Sequence, residues 1–318
     1  MKMLVTGGCG FIGSNFIRHM LNKYPDYKII NLDKLTYAGN PDNLKDIEKN
    51  NNYSFVCGDI CDGPVVDKVM KEADHVVHFA AESHVDRSID DASIFVRTNV
   101  LGTFVLLDSA LKHNIKKFVH ISTDEVYGSI NKGSFKETDI LTPSSPYSSS
   151  KAGSDLLARS YYITHKLPVI ITRCTNNYGP YQYPEKLLPL FITNILDNKK
   201  VPLYGTGRNV RDWIYVLDHC KAIDFVLHRG NTGEIYNIGG GAEKTNIEIT
   251  KMILETLGKD ESMIEFVKDR PGHDLRYSLD CSKLRKLGWK PDHSFEEALV
   301  DTIRWYVENR WWWEKLKH

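Results

Sequence analysis

The chain has 318 residues, with 41 lysines and arginines balanced by 41 aspartates and glutamates, so its formal net charge is zero. That balance argues against a broad surface for nucleic acid or anionic lipid and leaves room only for a local basic pocket. The length suits one large α/β domain with an appendage, or two lobes, and no apolar run approaches the ~20 residues of a membrane helix.

The first residues, Met3-Leu4-Val5, read as a short buried strand rather than a leader. It runs into Thr6-Gly7-Gly8-Cys9-Gly10-Phe11-Ile12-Gly13 and then an amphipathic helix to about Leu21. Glycines between a strand and a helix let the backbone turn tightly and approach a pyrophosphate, which the helix amino terminus then faces with free N–H groups. The next strand, Lys28 to Leu32, ends at Asp33, twenty residues past Gly13, where a carboxylate accepts hydrogen bonds from an adenosine ribose. An acid there repels a 2′-phosphate and favours NAD, whereas the neighbouring Lys34 would suit the phosphate. Tyr53 to Cys57 is a third strand followed by Asp59 and Ile60, with Asp59 either near the adenine or capping the next helix. Val76 to Phe79 is a fourth, leading to the small residues Ala80 and Ala81; His78 within it reads as a core histidine. A long helix from about Ile94 to Lys112 is apolar on more than one stripe, enough to cover the sheet and a second copy of the chain. Phe118 to Ile121 is a fifth strand, and the alternation predicts a parallel sheet with right-handed crossovers.

Ser122-Thr123-Asp124-Glu125 should then emerge at a strand's carboxyl end, where open α/β sheets place their ligands. Two carboxylates and a hydroxyl there can supply a proton donor, a proton acceptor and an orienting group, although Asp-Glu after a strand is also a common solvated turn. Tyr147 and Lys151 are four apart, so a helix starting near Tyr147 puts both on one face and lets the ammonium lower the phenol's pKa. Beyond Pro180 the texture changes to short elements and polar loops, among them 185–187, 202–205, 208–213 and 269–274, which suggest a smaller lobe closing over a second ligand. Arg211 and Arg270 there would suit a diphosphate or, equally, surface ion pairs. The tryptophan-rich end, Trp305 to Trp313, reads as packing or subunit contact. Of the six cysteines only Cys57 and Cys61 lie close, without zinc or redox-pair spacing, so all read as free thiols in a reducing cytoplasm, with no metal site.

With the glycine loop, Thr-Asp-Glu and Tyr-x-x-x-Lys in place, nearly the whole chain resembles the extended short-chain dehydrogenase/reductases, and within them the nucleotide-sugar 4,6-dehydratases. Further carriers of the resemblance are Asp33 to Asn40, Ala80 to Ser88, Asn176 to Tyr181 and Arg270 to Asp274. The resemblance implies a Rossmann-like, doubly wound parallel sheet with a smaller C-terminal substrate-binding lobe. Residues 1–180 would hold the cofactor and catalysis and 181–318 mainly the nucleotide sugar, with some segments returning to the large domain. It implies NAD, with which Lys34 is compatible, bound near Gly7, Gly10, Phe11, Ile12, Gly13, Asp33, Lys34, Leu35, Thr36, Asp59, Ile60, Phe79, Ala80, Ala81, Ser83, Thr98, Tyr147, Lys151 and Asn177. It implies dTDP-glucose as substrate, near Ser83, Thr123, Asn176, Lys186, Leu187, Pro202, Leu203, Tyr204, Arg211, Asn246, Arg270 and His273, and a homodimer.

In the roles so implied, Tyr147 takes the proton of the sugar 4-hydroxyl, Glu125 removes the C5 proton, Asp124 protonates the departing 6-hydroxyl and Thr123 holds the 4-oxygen. Action of Tyr147 near neutrality needs its phenol lowered by about 3 pH units, roughly 4 kcal/mol, for which Lys151 and the positive nicotinamide are the expected sources. Two other functions stay open on the residues: a 4-epimerase, which needs only Tyr147 and Lys151, and a non-catalytic NAD-binding sensor, which needs none of the five.

Overall fold

The structure is a computed structural model and describes residues 1–269 and 274–317. Its centre is a seven-stranded sheet in the order β10-β6-β5-β4-β1-β2-β3. The strands are β1 (Lys2–Thr6), β2 (Lys28–Asp33), β3 (Tyr53–Cys57), β4 (His75–His78), β5 (Lys117–Thr123), β6 (Val169–Cys174) and β10 (Ile235–Ile238). Every neighbouring pair is parallel. Met3, Leu4, Val5, Val76, Val77, Phe118 and Val119 are fully shielded from solvent, as strands covered on both faces must be. The chain winds outward from β1 to β3, then returns to place β4 on the other side of β1. That reversal opens a crevice at the strands' carboxyl ends, and the loops after β1, β4, β5 and β6 meet there.

The 20-residue crossover helix between β4 and β5, Ser93–Lys112, has a mean hydropathy of 1.4 over an 18-residue stretch, long and apolar enough by composition to span a membrane. The sequence reading found no such run. The fold gives this helix another use: Phe95, Leu106, Leu107 and Ala110 are buried in the protein core. His78, as expected, is a satisfied core histidine, bonded to Thr6 and Thr103 at 2.7 and 3.0 Å.

The C-terminal part adds two small sheets. One is β7 (Asn176–Tyr178), β9 (Val210–Tyr215) and β11 (Glu243–Thr245); the other is β8 (Val201–Tyr204) and β12 (Ile264–Val267). Residues 202–204 and 210–213, expected among the polar loops, are therefore strand. Two segments return to the large domain: β10 pairs with β6, and the helix Val216–Arg229 docks on the first helix, Phe11–Lys23. Asp224 of the former, 2% exposed at its side chain, accepts hydrogen bonds from His19, Lys23 and Tyr24 of the latter segment. The terminal tryptophans pack: Trp312 and Trp313 are buried, and their indole N–H groups bond Asn43 and the Tyr306 carbonyl at 2.7 Å each.

Candidate active site

One long cleft, about 1700 Å³ counted to its open mouth, runs along the carboxyl ends of the strands. Its first wall is the glycine loop. Gly7 has φ +71°, and a β-carbon there would lie 2.6 Å from the Ala80 nitrogen; one on Gly13 would lie 2.3 Å from the Gly7 carbonyl oxygen. Only glycine lets these segments close. The helix that follows has no side-chain N-cap and no acid in its first turn, so its free N–H groups and positive dipole end face the cleft. The residues thus fit a dinucleotide's pyrophosphate.

Asp33 ends β2 inside the cleft. Its carboxylate accepts the backbone N–H of Leu35 and Cys9 at 2.8 and 2.9 Å, while burial pushes its pKa up. The Lys34 ammonium pairs with Asp59 at 2.9 Å, so that charge is already matched. Asp59 does not cap the following helix; Asp62 does, accepting the Val65 N–H. Of the expected cofactor residues all line the cleft except Leu35, which shapes the turn with φ +56°.

The catalytic wall is built by two local devices. β5 ends at Thr123, whose hydroxyl accepts the Glu125 N–H at 3.3 Å and starts the short turn Asp124–Tyr127. Ser145 and Ser148 cap each other reciprocally at 3.1 and 3.0 Å, with Pro146 first in the helix Pro146–His165. Tyr147 therefore lies in the first turn and Lys151 one turn later. Thr123, Asp124, Glu125, Tyr147 and Lys151 all line the cleft.

The two acids differ in surroundings. Asp124 is buried, and desolvation and the neighbouring Glu125 hold its pKa well above the usual carboxylate range. One of its oxygens meets the Thr123 hydroxyl at 3.2 Å, and the other is buried without a hydrogen-bond partner. Glu125 is only partly buried.

One expectation needs correcting. The Lys151 ammonium is engaged elsewhere than on the phenol: it donates to the Ile121 carbonyl at 2.7 Å, and burial lowers its own pKa to about 8. Burial and the Glu125 charge push Tyr147 well above the ordinary phenol value, and the contact that favours the phenolate is its hydrogen bond with Thr123.

The residues expected to hold the substrate fall into two groups. Ser83, Thr123, Asn176 and Lys186 line the cleft. Leu203 does not, because its side chain is buried in the core. Leu187 packs against the same core, and Pro202 and Tyr204 lie off the cleft on β8. Arg211 is occupied: it donates to the Val210, Asp274 and Leu275 carbonyls and stacks on Tyr277 at 4.3 Å. Asn246 is buried with its side-chain oxygen unpartnered. Arg270 and His273 lie outside the described residues.

Ser122 and Glu185, which the sequence placed in the catalytic stretch and in a polar loop without a role, and Thr175 and Gln182, which it did not single out, also line the cleft. With Asp124 and Asn176 they form a set of six cleft residues, each carrying a buried oxygen without a partner. Buried polar atoms are rarely left so, and unmet oxygens on cleft residues fit a hydroxyl-rich ligand. Their one signal was position: Gln182 and Glu185 fall between the recognised Asn176–Tyr181 and Lys186.

A parallel sheet with a glycine loop at its switch point, and acid, base and phenol on the same edge, defines a dinucleotide-dependent enzyme acting on a polyhydroxylated substrate. Residues 4–302 match the family described as GDP-mannose 4,6 dehydratase, and the chain belongs to that family. It is 54% identical to a dTDP-glucose 4,6-dehydratase of Streptomyces niveus, over 100% of this chain and 96% of the relative. A crystal structure of dTDP-glucose 4,6-dehydratase from Streptomyces venezuelae, with NAD and dTDP bound, is similar with a TM-score of 0.98 and 56% identity, each chain covered completely. The Bacillus anthracis dTDP-glucose 4,6-dehydratase in complex with NAD has a TM-score of 0.94 and 53% identity, again over the whole of both chains.

Proposed function

We propose that this chain is a hydro-lyase that converts dTDP-glucose to dTDP-4-dehydro-6-deoxyglucose, with NAD as a recycled cofactor. The observation that carries the reading is the pair of adjacent carboxyls with opposite settings, Asp124 sealed and Glu125 partly open. Elimination of water needs one acid and one base at the same moment, and unlike environments supply them.

The glycine loop, the open helix terminus and Asp33 would hold NAD, which would supply reversible hydride transfer between sugar C4 and C6. Tyr147 accepts the 4-hydroxyl proton as the phenolate, the form its hydrogen bond with Thr123 favours against burial, and Thr123, which bonds both Tyr147 and Asp124, steadies the 4-oxygen. Once C4 is a ketone, the C5 hydrogen is acidic, and Glu125 removes it. Asp124 gives its proton to the 6-hydroxyl, which leaves as water. Lys151, fixed to the Ile121 carbonyl, keeps a positive charge below the site.

The nucleotide belongs, in this reading, to the smaller lobe, with residues 1–180 serving NAD and chemistry and 181–318 mainly the nucleotide sugar. Asn176, Lys186 and the unpartnered Asn246 support it, and Arg211 reaches a diphosphate by giving up the carbonyls it now bonds. Arg270 and His273 are assigned to the same neighbourhood by resemblance. The exposed apolar residues Val96, Leu101, Phe104, Leu156 and Ile163, on the helices Ser93–Lys112 and Pro146–His165, favour a homodimer through that face. Six free thiols fit a cytoplasmic setting.

The test is incubation with a panel of nucleotide-glucoses and mass measurement. Loss of one water from dTDP-glucose is expected, and an intact sugar sinks the proposal. Glu125→Gln separates this reading from an epimerase: it should abolish solvent-deuterium incorporation at C5, whereas an epimerase would turn over near normally.

A further inference from the structure

A cluster outside the catalytic wall ties three stretches of the cleft together. Thr36 and Ala38 line the cleft on the β2 exit, Glu82 and Ser83 on the β4 exit, and Tyr183, Glu185 and Lys186 on the loop after β7. Arg87 joins all three. Its guanidinium lies 3.9 Å from the centre of the Tyr37 ring, between Thr36 and Ala38, and donates to Glu185 at 3.0 Å. Tyr37 in turn meets Tyr183 edge-on at 5.8 Å, and Lys186 donates to the Ser83 carbonyl at 2.9 Å. The β4 exit itself is anchored, since the Glu82 backbone exchanges two hydrogen bonds with Asn99, at 2.8 and 3.0 Å.

Two features set this cluster apart from an ordinary surface pair. The second carboxylate oxygen of Glu185 is buried, has no hydrogen-bond partner and belongs to a cleft-lining residue, so the side chain keeps unused acceptor capacity beside its pair with Arg87. Arg87 itself touches no part of the cleft and is half exposed, so its effect there is exerted through Tyr37 and Glu185. A planar guanidinium can stack and pair at once, which an ammonium cannot do equally well.

We propose that Arg87, stacked on Tyr37 and paired with Glu185, is a latch that retains NAD by keeping these three walls from parting. The proposal rests on the reading that the cofactor is regenerated within each turnover, which makes loss of the reduced form mid-cycle fatal to that turnover. Arg87 is a positioning residue: it holds the walls and does no chemistry.

The experiment uses the holoprotein and four variants: Arg87→Ala, Arg87→Lys, Glu185→Gln and the double variant that combines the first and third. NAD released after dilution is followed with an excess of a coupled NAD-consuming enzyme. Release at least tenfold faster from Arg87→Ala is expected, with Arg87→Lys intermediate because it keeps the pair and loses the planar stack. The double variant Arg87→Ala, Glu185→Gln should release NAD no more than about twofold faster than Arg87→Ala alone, since both break one latch. With dTDP-glucose present, the variants should leak NADH into solution, recovered in the filtrate after ultrafiltration, while the parent leaks none. A release rate from Arg87→Ala within twofold of the parent overturns the proposal. If the parent fails to dehydrate dTDP-glucose, the functional reading falls, but the release rates still decide the latch.

Discussion

Arg173 and Asp155 form a buried ion pair that ties β6 to the helix carrying Tyr147 and Lys151. Asp155 lies on the helix that carries Tyr147 and Lys151, and Arg173 lies on β6. Their side chains are 3% and 0% exposed, and the contact is two-pronged at 2.8 and 2.9 Å. A third guanidinium bond, 2.7 Å, reaches the hydroxyl of Tyr127, on the turn that begins with Asp124 and Glu125. Asp155→Asn leaves a buried cation with no counter-charge, and removing one partner of such a pair costs about 3–5 kcal/mol. For a chain of this size that is a melting point lower by roughly 5–10 °C. Replacing both partners, as Asp155→Leu with Arg173→Met, removes the uncompensated charge and should cost less than either single change. Thermal melts and urea midpoints of the three variants measure this. An Asp155→Asn protein that melts within 1 °C of the parent, or a double variant worse than both singles, would refute the reasoning.

Asp212 offers a pH test. Burial raises its carboxyl pKa to about 6, opposed by backbone N–H bonds such as that from Ala242 at 2.6 Å. A raised acid binds its proton more tightly when folded, so its stabilisation is full below the unfolded value of ~3.9 and is lost as pH rises through about 6. Asp212→Asn should therefore gain on the parent as pH rises from about 4 to 6 and hold that gain above it, by about 3 kcal/mol at most; melting curves from about pH 4 to 7 check it, and parallel pH profiles would contradict it. Asp124→Asn should lower kcat by about 10²–10⁴-fold, because the amide has no acidic proton to give. Steady-state kinetics decide it, and a variant at near-parent rate would remove Asp124 from the acid's role. Gly13→Ala puts a β-carbon 2.3 Å from the Gly7 carbonyl oxygen, so the purified variant should carry little NAD and lose about 1–3 kcal/mol of stability. Its bound nucleotide is read from the 260-to-280 nm ratio on the order of one NAD per chain in the parent.

The features legible in the sequence are those set by short-range chemistry. A strand followed by glycines and an uncapped helix is a phosphate cradle wherever it folds, because the backbone geometry is local. Tyr147 and Lys151 share a helix face because Ser145, Pro146 and Ser148 start that helix in place. Thr123, Asp124 and Glu125 follow a buried strand, which suffices to put them on the sheet's carboxyl edge. Tertiary structure decided matters that depend on partners far away in the chain. The Lys151 ammonium lies against the Ile121 carbonyl, thirty residues back, and Arg211 bonds carbonyls more than sixty residues on. Ser122, Thr175, Gln182 and Glu185 gain meaning only when the loops after β5, β6 and β7 meet and leave their oxygens unpaired together. β10 returns to the large sheet because β6 would otherwise present an open edge, and periodicity carries no information about which strand will close it. Composition and spacing name the chemistry available; burial, which sets which acid keeps its proton, exists only once the chain has closed around Asp124.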